Sequence, residues 1–325
     1  MSGQIILAVA AALTSLIVSV VTAAVAYGSN RRIAQLEDRL TEARSERAAW
    51  RDYVYEARKR LYSDFQPVLF QMVERCDGAL NRIRDGMAAG AREKRILWPS
   101  RLGEGWIDDP YHMISTTWDL LTPLAFFRIG QQKLTGLDLS VDPVIRWQYR
   151  LAKELYATWT LGNELAAQEP ALPYNDEEPA QRQHLLSGHL ENVIDCLIRA
   201  DESGRLSCIR FGEFYDTFQR MDPELDESLI YMTYPLTNFH PQRKPVLWRV
   251  LITQAHLYMA IIKTFEGSHD GDPHLIHPVD ALTPDDWDAF DWRSDDLVSR
   301  EEAVVIPFQA VRRFLAQRLP RHRSE

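Results

Sequence analysis

Cysteine is scarce in this chain. There are three in 325 residues, Cys76, Cys196 and Cys208, far apart and without a C-x-x-C pair. An odd, scattered set supports neither a disulfide framework nor a zinc ribbon, and it fits a reducing compartment. The Asn-x-Ser/Thr sequon is absent, in keeping with a domain that is not secreted. Catalytic signatures are missing too. The sequence has no G-x-x-x-x-G-K-[ST], no G-x-S-x-G, no H-E-x-x-H and no kinase HRD or DFG set, and Gly103-x-Gly105 is not completed to GxGxxG. These absences weigh against an enzyme of a familiar type. A formal net charge of −9 weighs against a general nucleic-acid binder.

Charge of either sign is also missing from Ile5 to Tyr27, and Met1 to Gln4 carry no Lys or Arg. An uncharged helix of about 23 residues, at about 1.5 Å per residue, spans a hydrocarbon core of about 30 Å. Ala24-Val25-Ala26 resembles a signal-peptidase site, but the basic n-region is missing. The apolar run also exceeds the roughly 7–15 residues of a signal h-region. Residues 1–30 therefore read as a retained single-pass transmembrane anchor. Arg31, Arg32 and Arg39 follow the span, which by the positive-inside rule places the rest of the chain in the cytoplasm. Within the span Ala11, Ser15, Ser19 and Ala23 form a small-residue stripe of the kind that lets helix backbones approach closely.

Beyond the span, Ile33, Leu36, Leu40, Ala43, Arg47, Trp50, Val54, Ala57 and Leu61 alternate in steps of three and four. This is a heptad seam, interrupted by Arg47, and it reads as a juxtamembrane coiled coil over residues 31–66. Stripe and seam together predict a homo-oligomer, with Ala11, Ser15, Ser19, Ala23, Ile33, Leu36, Leu40, Trp50 and Val54 as its contact residues. A single amphipathic helix packed on its own domain gives the same periodicity.

Residues 67–325 read as a helical cytoplasmic domain of about 260 residues, long enough for a real core. Pro67 is expected to break or kink the coil. Leu69, Met72, Val73, Cys76, Leu80 and Ile83 then repeat at helical spacing. A helix begins near Pro110 with Ile114, Trp118, Leu121 and Ala125. Asp142-Pro143 is an N-cap with Pro in the first turn, opening a helix with Trp147, Leu151, Leu155, Tyr156 and Trp159 on one side. Pro179 opens a helix with Leu186, Leu190, Val193 and Leu197, closed by Gly204. The most apolar internal segment, from Pro245, carries Arg249, Gln254, His256 and Lys263 and reads as a buried core helix. Thr283-Pro284-Asp285-Asp286 and Ser299-x-x-Glu302 are helix starts. Only Ala303 to Ile306 looks like a possible short strand. The predicted fold class is all-α. Arg outnumbers Lys and Ala is abundant, which points to a GC-rich, bacterial coding sequence.

The densest set of metal-capable residues is His269, Asp270, Asp272, His274 and His277. Imidazole and carboxylate donors suit a divalent metal such as zinc, iron or manganese. The Gly and Pro between them equally mark an exposed turn. The dipeptide His269-Asp270 also occurs in the helical, metal-dependent HD-domain phosphohydrolases. The match is only two residues, however, and Asp295 and Asp296 come too soon to complete that pattern. His184 and His189 are five apart and do not share a helix face in the way of paired ligands. Glu104, Asp108 and Asp109 are paired carboxylates in a Gly-containing loop, and Trp287, Phe290 and Trp292 lie in an acidic stretch. A basic tail (Arg312, Arg313, Arg318, Arg321, Arg323) is a candidate for anionic lipid or for that acidic stretch.

Taken together, these features predict a membrane-anchored, self-associating helical scaffold with a protein partner, no cofactor and no nucleic acid. The alternative is a membrane-tethered hydrolase that uses a divalent metal in the His269–His277 loop. Pathway, ligand and partner are not encoded in any motif.

Overall fold

The fold is all-α, with a long apolar helix at the N-terminus and a multi-helix body. The structure is a computed structural model that describes residues 2–93, 111–177, 181–219, 235–236, 239, 241–267, 275–287 and 299–320. It divides into two compact units, Met1–Lys59 and Arg60–Glu325.

The first unit is helical from Ser2, and its helix belongs to α1 (Ser2–Glu93). Uncharged β-branched and small residues dominate its first part, and intrahelical hydrogen bonds satisfy the backbone. Ser19 Oγ donates to the Ser15 carbonyl (2.9 Å) and Thr22 Oγ1 to the Val18 carbonyl (2.7 Å), so these hydroxyls turn back onto their own helix.

The second unit takes up α1 from Arg60. Leu61, Phe65, Leu69, Met72, Val73, Cys76, Leu80 and Ile83 are all buried, at the three- and four-residue spacing of one helix face. Of the break or kink expected at Pro67, the break does not occur: the residue lies inside the helix. Its missing N–H and its ring cost stability, and the burial of Phe65, Val68 and Leu69 on either side offsets that cost. This face packs on α2 (Tyr111–Lys133). A Cβ on Gly130 of α2 would lie 2.8 Å from the Phe65 ring, so glycine is what allows the approach. Arg82 pairs with Asp119 of α2 at 2.9 Å.

The remaining elements are α3 (Pro143–Thr158), α4 (Gly162–Ala166), α5 (Ser187–Cys196), α6 (Phe211–Gln219), α7 (Pro245–Gly267), α8 (Pro278–Ala281) and α9 (Ile306–Arg318). Short 3-10 turns cover Leu139–Val141 and Pro284–Trp287, and a π-helical turn covers Glu301–Val305. The predicted cap at Asp142 is present: its Oδ1 accepts from the backbone N–H groups of Val144 and Ile145, each at 3.0 Å. Its Oδ2 accepts from the Tyr62 hydroxyl at 2.5 Å, tying α1 to the start of α3.

The centre of the body is α7, packed on α3 and surrounded by α4, α8 and α9. It is apolar enough to cross a membrane, but 83% of its most hydrophobic window is buried inside the body. Its polar side chains reach neighbouring carbonyls. Trp248 Nε1 donates to Ala303 (2.6 Å), Gln254 Nε2 to Leu155 (2.8 Å) and Lys263 Nζ to Ala281 (2.9 Å). Its first turn is capped from outside: Gln183 Oε1 accepts from the Val246 N–H at 2.9 Å.

Two local expectations are corrected. The helix with Leu190 and Val193 starts at Ser187, with Leu186 exposed outside it, and it ends at Cys196. Gly204 does not close that helix. It sits at φ +79° in the turn of a small antiparallel hairpin, β1 (Ile198–Ala200) and β2 (Leu206–Cys208). Asp201 Oδ1 accepts from the N–H groups of Ser203 and Arg205, each at 2.9 Å, and organises the turn around that positive-φ glycine. The strand expected at Ala303–Ile306 is helical instead. Ala303 and Val304 are buried there, so the apolar run fills the core and is not part of a sheet.

Candidate functional site

The most exposed apolar surface among the described residues lies on the first unit. Leu13, Leu16, Ile17, Val18, Val20, Val21 and Val25 are 55–66% exposed, on every side of the helix. The apolar window is 0% buried and its mean hydropathy is 1.4. This helix is apolar all round and long enough to cross a membrane, as a signal sequence near an N-terminus also can be. Of the small-residue stripe, Ser15, Ser19 and Ala23 are exposed, while the Ala11 side chain lies outside the described residues.

Further along, the seam is also uncovered. Ile33, Leu36, Leu40 and Trp50 are 49–61% exposed, and Val54 is half-buried. Tyr53 stacks on Trp50 with ring centroids 5.4 Å apart, which stiffens the aromatic end of the seam. Arg47 interrupts the seam with an exposed side chain. A soluble monomer rarely leaves so much contiguous apolar surface bare.

The metal-capable loop is brought only partly into view. His269, Asp270, Asp272 and His274 lie outside the described residues. His277 is buried and both of its ring nitrogens are engaged. Nδ1 accepts from the Val279 N–H (3.2 Å) as the N-cap of α8, and Nε2 donates to the Leu319 carbonyl (2.5 Å). In this arrangement neither nitrogen faces outward with a lone pair for a metal. Among the described residues no group of three or more His, Cys, Asp or Glu could hold a metal ion.

Other sequence candidates are used by the fold. His184 is buried against Gly162, where a Cβ would fall 2.6 Å from its Nδ1, and that nitrogen accepts from the Tyr174 hydroxyl at 2.7 Å. Burial pushes its pKa below the ordinary histidine value, against the pull of Asp176. Trp287 is fully buried, edge-on to Trp248 and Phe308, and so belongs to the core. Arg318 pairs with Glu154 (2.7 Å) and Glu164 (3.2 Å), and Arg313 donates to the Glu169 carbonyl, so these two tail arginines serve the body itself. Glu104, Asp108, Asp109, Phe290, Trp292, Arg321 and Arg323 lie outside the described residues.

Two buried groups carry more of the body's architecture than their sequence positions announce. Arg249 donates to the carbonyls of Leu165 (2.7 Å), Gln168 (2.8 Å) and Pro170 (2.5 Å), collecting the end of α4 and the segment after it. Burial lowers its pKa to about 10, still charged at neutral pH. His256 is fully buried, its Nδ1 donates to the Pro278 carbonyl at 2.8 Å, and its Nε2 has no hydrogen-bond partner among the described residues. Burial pushes its pKa down to about 4, so the ring is neutral. The sequence clue for both was a charged or titratable residue inside an otherwise apolar helix.

No protein-family model, curated protein or solved structure matches this chain.

Proposed function

We propose that the chain is a membrane-anchored, self-associating helical scaffold. The apolar N-terminal helix crosses the bilayer once, the seam that follows pairs copies of the chain, and the body stands in the cytoplasm and binds a protein partner. One observation carries this reading: an uncharged apolar stretch, 0% buried, leads directly into exposed Ile33, Leu36, Leu40 and Trp50. Lipid accounts for the first surface and a second chain for the other. Arg31, Arg32 and Arg39 just after the span support the cytoplasmic orientation.

The test is affinity isolation of the tagged full-length chain from gently solubilised native membranes, identified by mass spectrometry, beside a truncation lacking residues 1–59. A stoichiometric partner retained by the truncation supports a body that acts as a binding module. Recovery of the chain alone, with catalytic turnover by the purified body, contradicts the scaffold reading.

A further inference from the structure

We infer that the partner of the exposed seam is a second copy of this chain, lying parallel and in register, and that the charges flanking the seam select this arrangement. The inference rests on the self-association proposed above and adds orientation, register and number. With Ile33, Leu40, Arg47 and Val54 at heptad position a, Leu36, Ala43, Trp50 and Ala57 fall at d. The g positions are then Arg32, Arg39, Glu46 and Tyr53, and the e positions Glu37, Arg44, Arg51 and Arg58. In a parallel, in-register pair each g residue meets the e residue five positions later on the other chain. That juxtaposes Arg32 with Glu37, Glu46 with Arg51, and Tyr53 with Arg58, two opposite-charge pairs and one cation–π pair. Arg39 with Arg44 is the one repulsive pair. All eight side chains are exposed on the helix surface.

The same charges are poorly arranged for a helix on its own. Side chains four apart share a face, and Asp38/Glu42, Glu42/Glu46, Arg47/Arg51 and Asp52/Glu56 are all like-charged at that spacing. Arg44/Arg47 is like-charged at three, and opposite pairs are fewer: Glu56/Arg60 and Arg60/Asp64 at four, Arg39/Glu42 and Glu56/Lys59 at three. The pattern is thus better satisfied between chains than within one. Arg47 fits a dimer in particular. A charged residue at a single a position lowers stability but fixes register and number. Between two helices its long side chain reaches out of the seam toward Glu46, at g of the other copy.

The test uses the full-length chain in native membranes, with single cysteines added at matched alanines: Ala43→Cys at d, and Ala49→Cys on the outer face. The oxidant is copper(II) phenanthroline. The unsubstituted chain controls for Cys76, Cys196 and Cys208. The expected result is a disulfide-linked dimer for Ala43→Cys and none for Ala49→Cys. Sedimentation in detergent should give two chains per particle. Glu46→Arg should weaken dimerisation about tenfold, from two pairs turned repulsive. Adding Arg51→Glu should restore it.

If the chain sediments as an oligomer but Ala43→Cys does not cross-link, the register is overturned while self-association stands. A strictly monomeric chain overturns both. A trimer overturns the number, and a Glu46→Arg chain that dimerises like the parent overturns the charge selection.

Discussion

Among the described residues two helices are long and apolar enough to cross a membrane, and they differ in burial and in polar content. The N-terminal one has a mean hydropathy of 1.4 and is 0% buried, whereas Pro245–Gly267 has 1.3 and is 83% buried. Hydropathy does not separate them, but their polar content does. The first carries only Ser and Thr through its apolar stretch, and Ser19 and Thr22 bond back to their own helix. The second carries Arg249, Gln254, His256 and Lys263, and each of these reaches a carbonyl on another segment. A helix whose polar groups are satisfied internally can meet lipid, whereas one whose polar groups need outside partners has to be surrounded by protein.

The largest way to break the comparison is to remove Arg249. Arg249→Leu keeps the helix apolar but strips buried carbonyls of a charged donor. The expected loss is at least about 3 kcal/mol, because bonds to a charged group count for more than neutral ones and the acceptors are left unpaired. Thermal unfolding of the body should then shift sharply downward. A Tm within a degree or two of the parent would show that those carbonyls find other partners. A similar cost is expected at the other helix for Val18→Arg, roughly 3 kcal/mol of insertion free energy at the middle of a span. Here the readout is the fraction of chain recovered in membranes, and the body's own melting should be unmoved.

Acidification sharpens the contrast. His256 has a pKa of about 4 in the fold against the ordinary histidine value of 6.5, because burial disfavours its charged form. The unfolded chain therefore binds the extra proton first. The stabilisation is fully present above pH 6.5 and is lost as pH falls toward 4, on the order of 3 kcal/mol across that window. Denaturant unfolding at pH 7 and pH 4.5 should show a difference that His256→Phe reduces. An unchanged difference would assign the acid sensitivity to other groups. The smallest effect belongs to the cap. Asp142→Ala removes two backbone bonds and the Tyr62 contact, and about 1–2 kcal/mol is expected from such a loss. Asp142→Asn should recover part of it.

The difference between these regions also explains which features could be read from sequence. The Asp142-Pro143 start, the buried face of the helix from Tyr111 and the core character of Pro245–Gly267 are local or periodic signals, and each is present. The heptad-like spacing was equally legible on both parts of α1, but spacing reports an amphipathic face without saying what covers it. Leu61, Phe65 and Leu69 are covered by the body, while Ile33, Leu36 and Leu40 are bare. The hairpin at Ile198–Cys208 was missed because a strand of three residues carries almost no periodicity, and Gly204 signals a turn without its type. The cap that Gln183 provides to α7 and the carbonyl cluster around Arg249 depend on partners more than sixty positions away, which no local pattern contains. At the candidate sites, the metal-capable residue types at His269–His277 were visible in sequence. The engagement of both His277 nitrogens was not, because one partner is the distant carbonyl of Leu319.

The most direct test of the anchor is alkaline carbonate extraction of membranes from cells making the full-length chain, with the intact mass of the recovered protein. The account predicts a chain that stays in the membrane pellet and retains its first thirty residues, while a truncation lacking residues 1–59 is released. Release of the full-length chain into the supernatant, or a mass showing cleavage after Ala26, would contradict it.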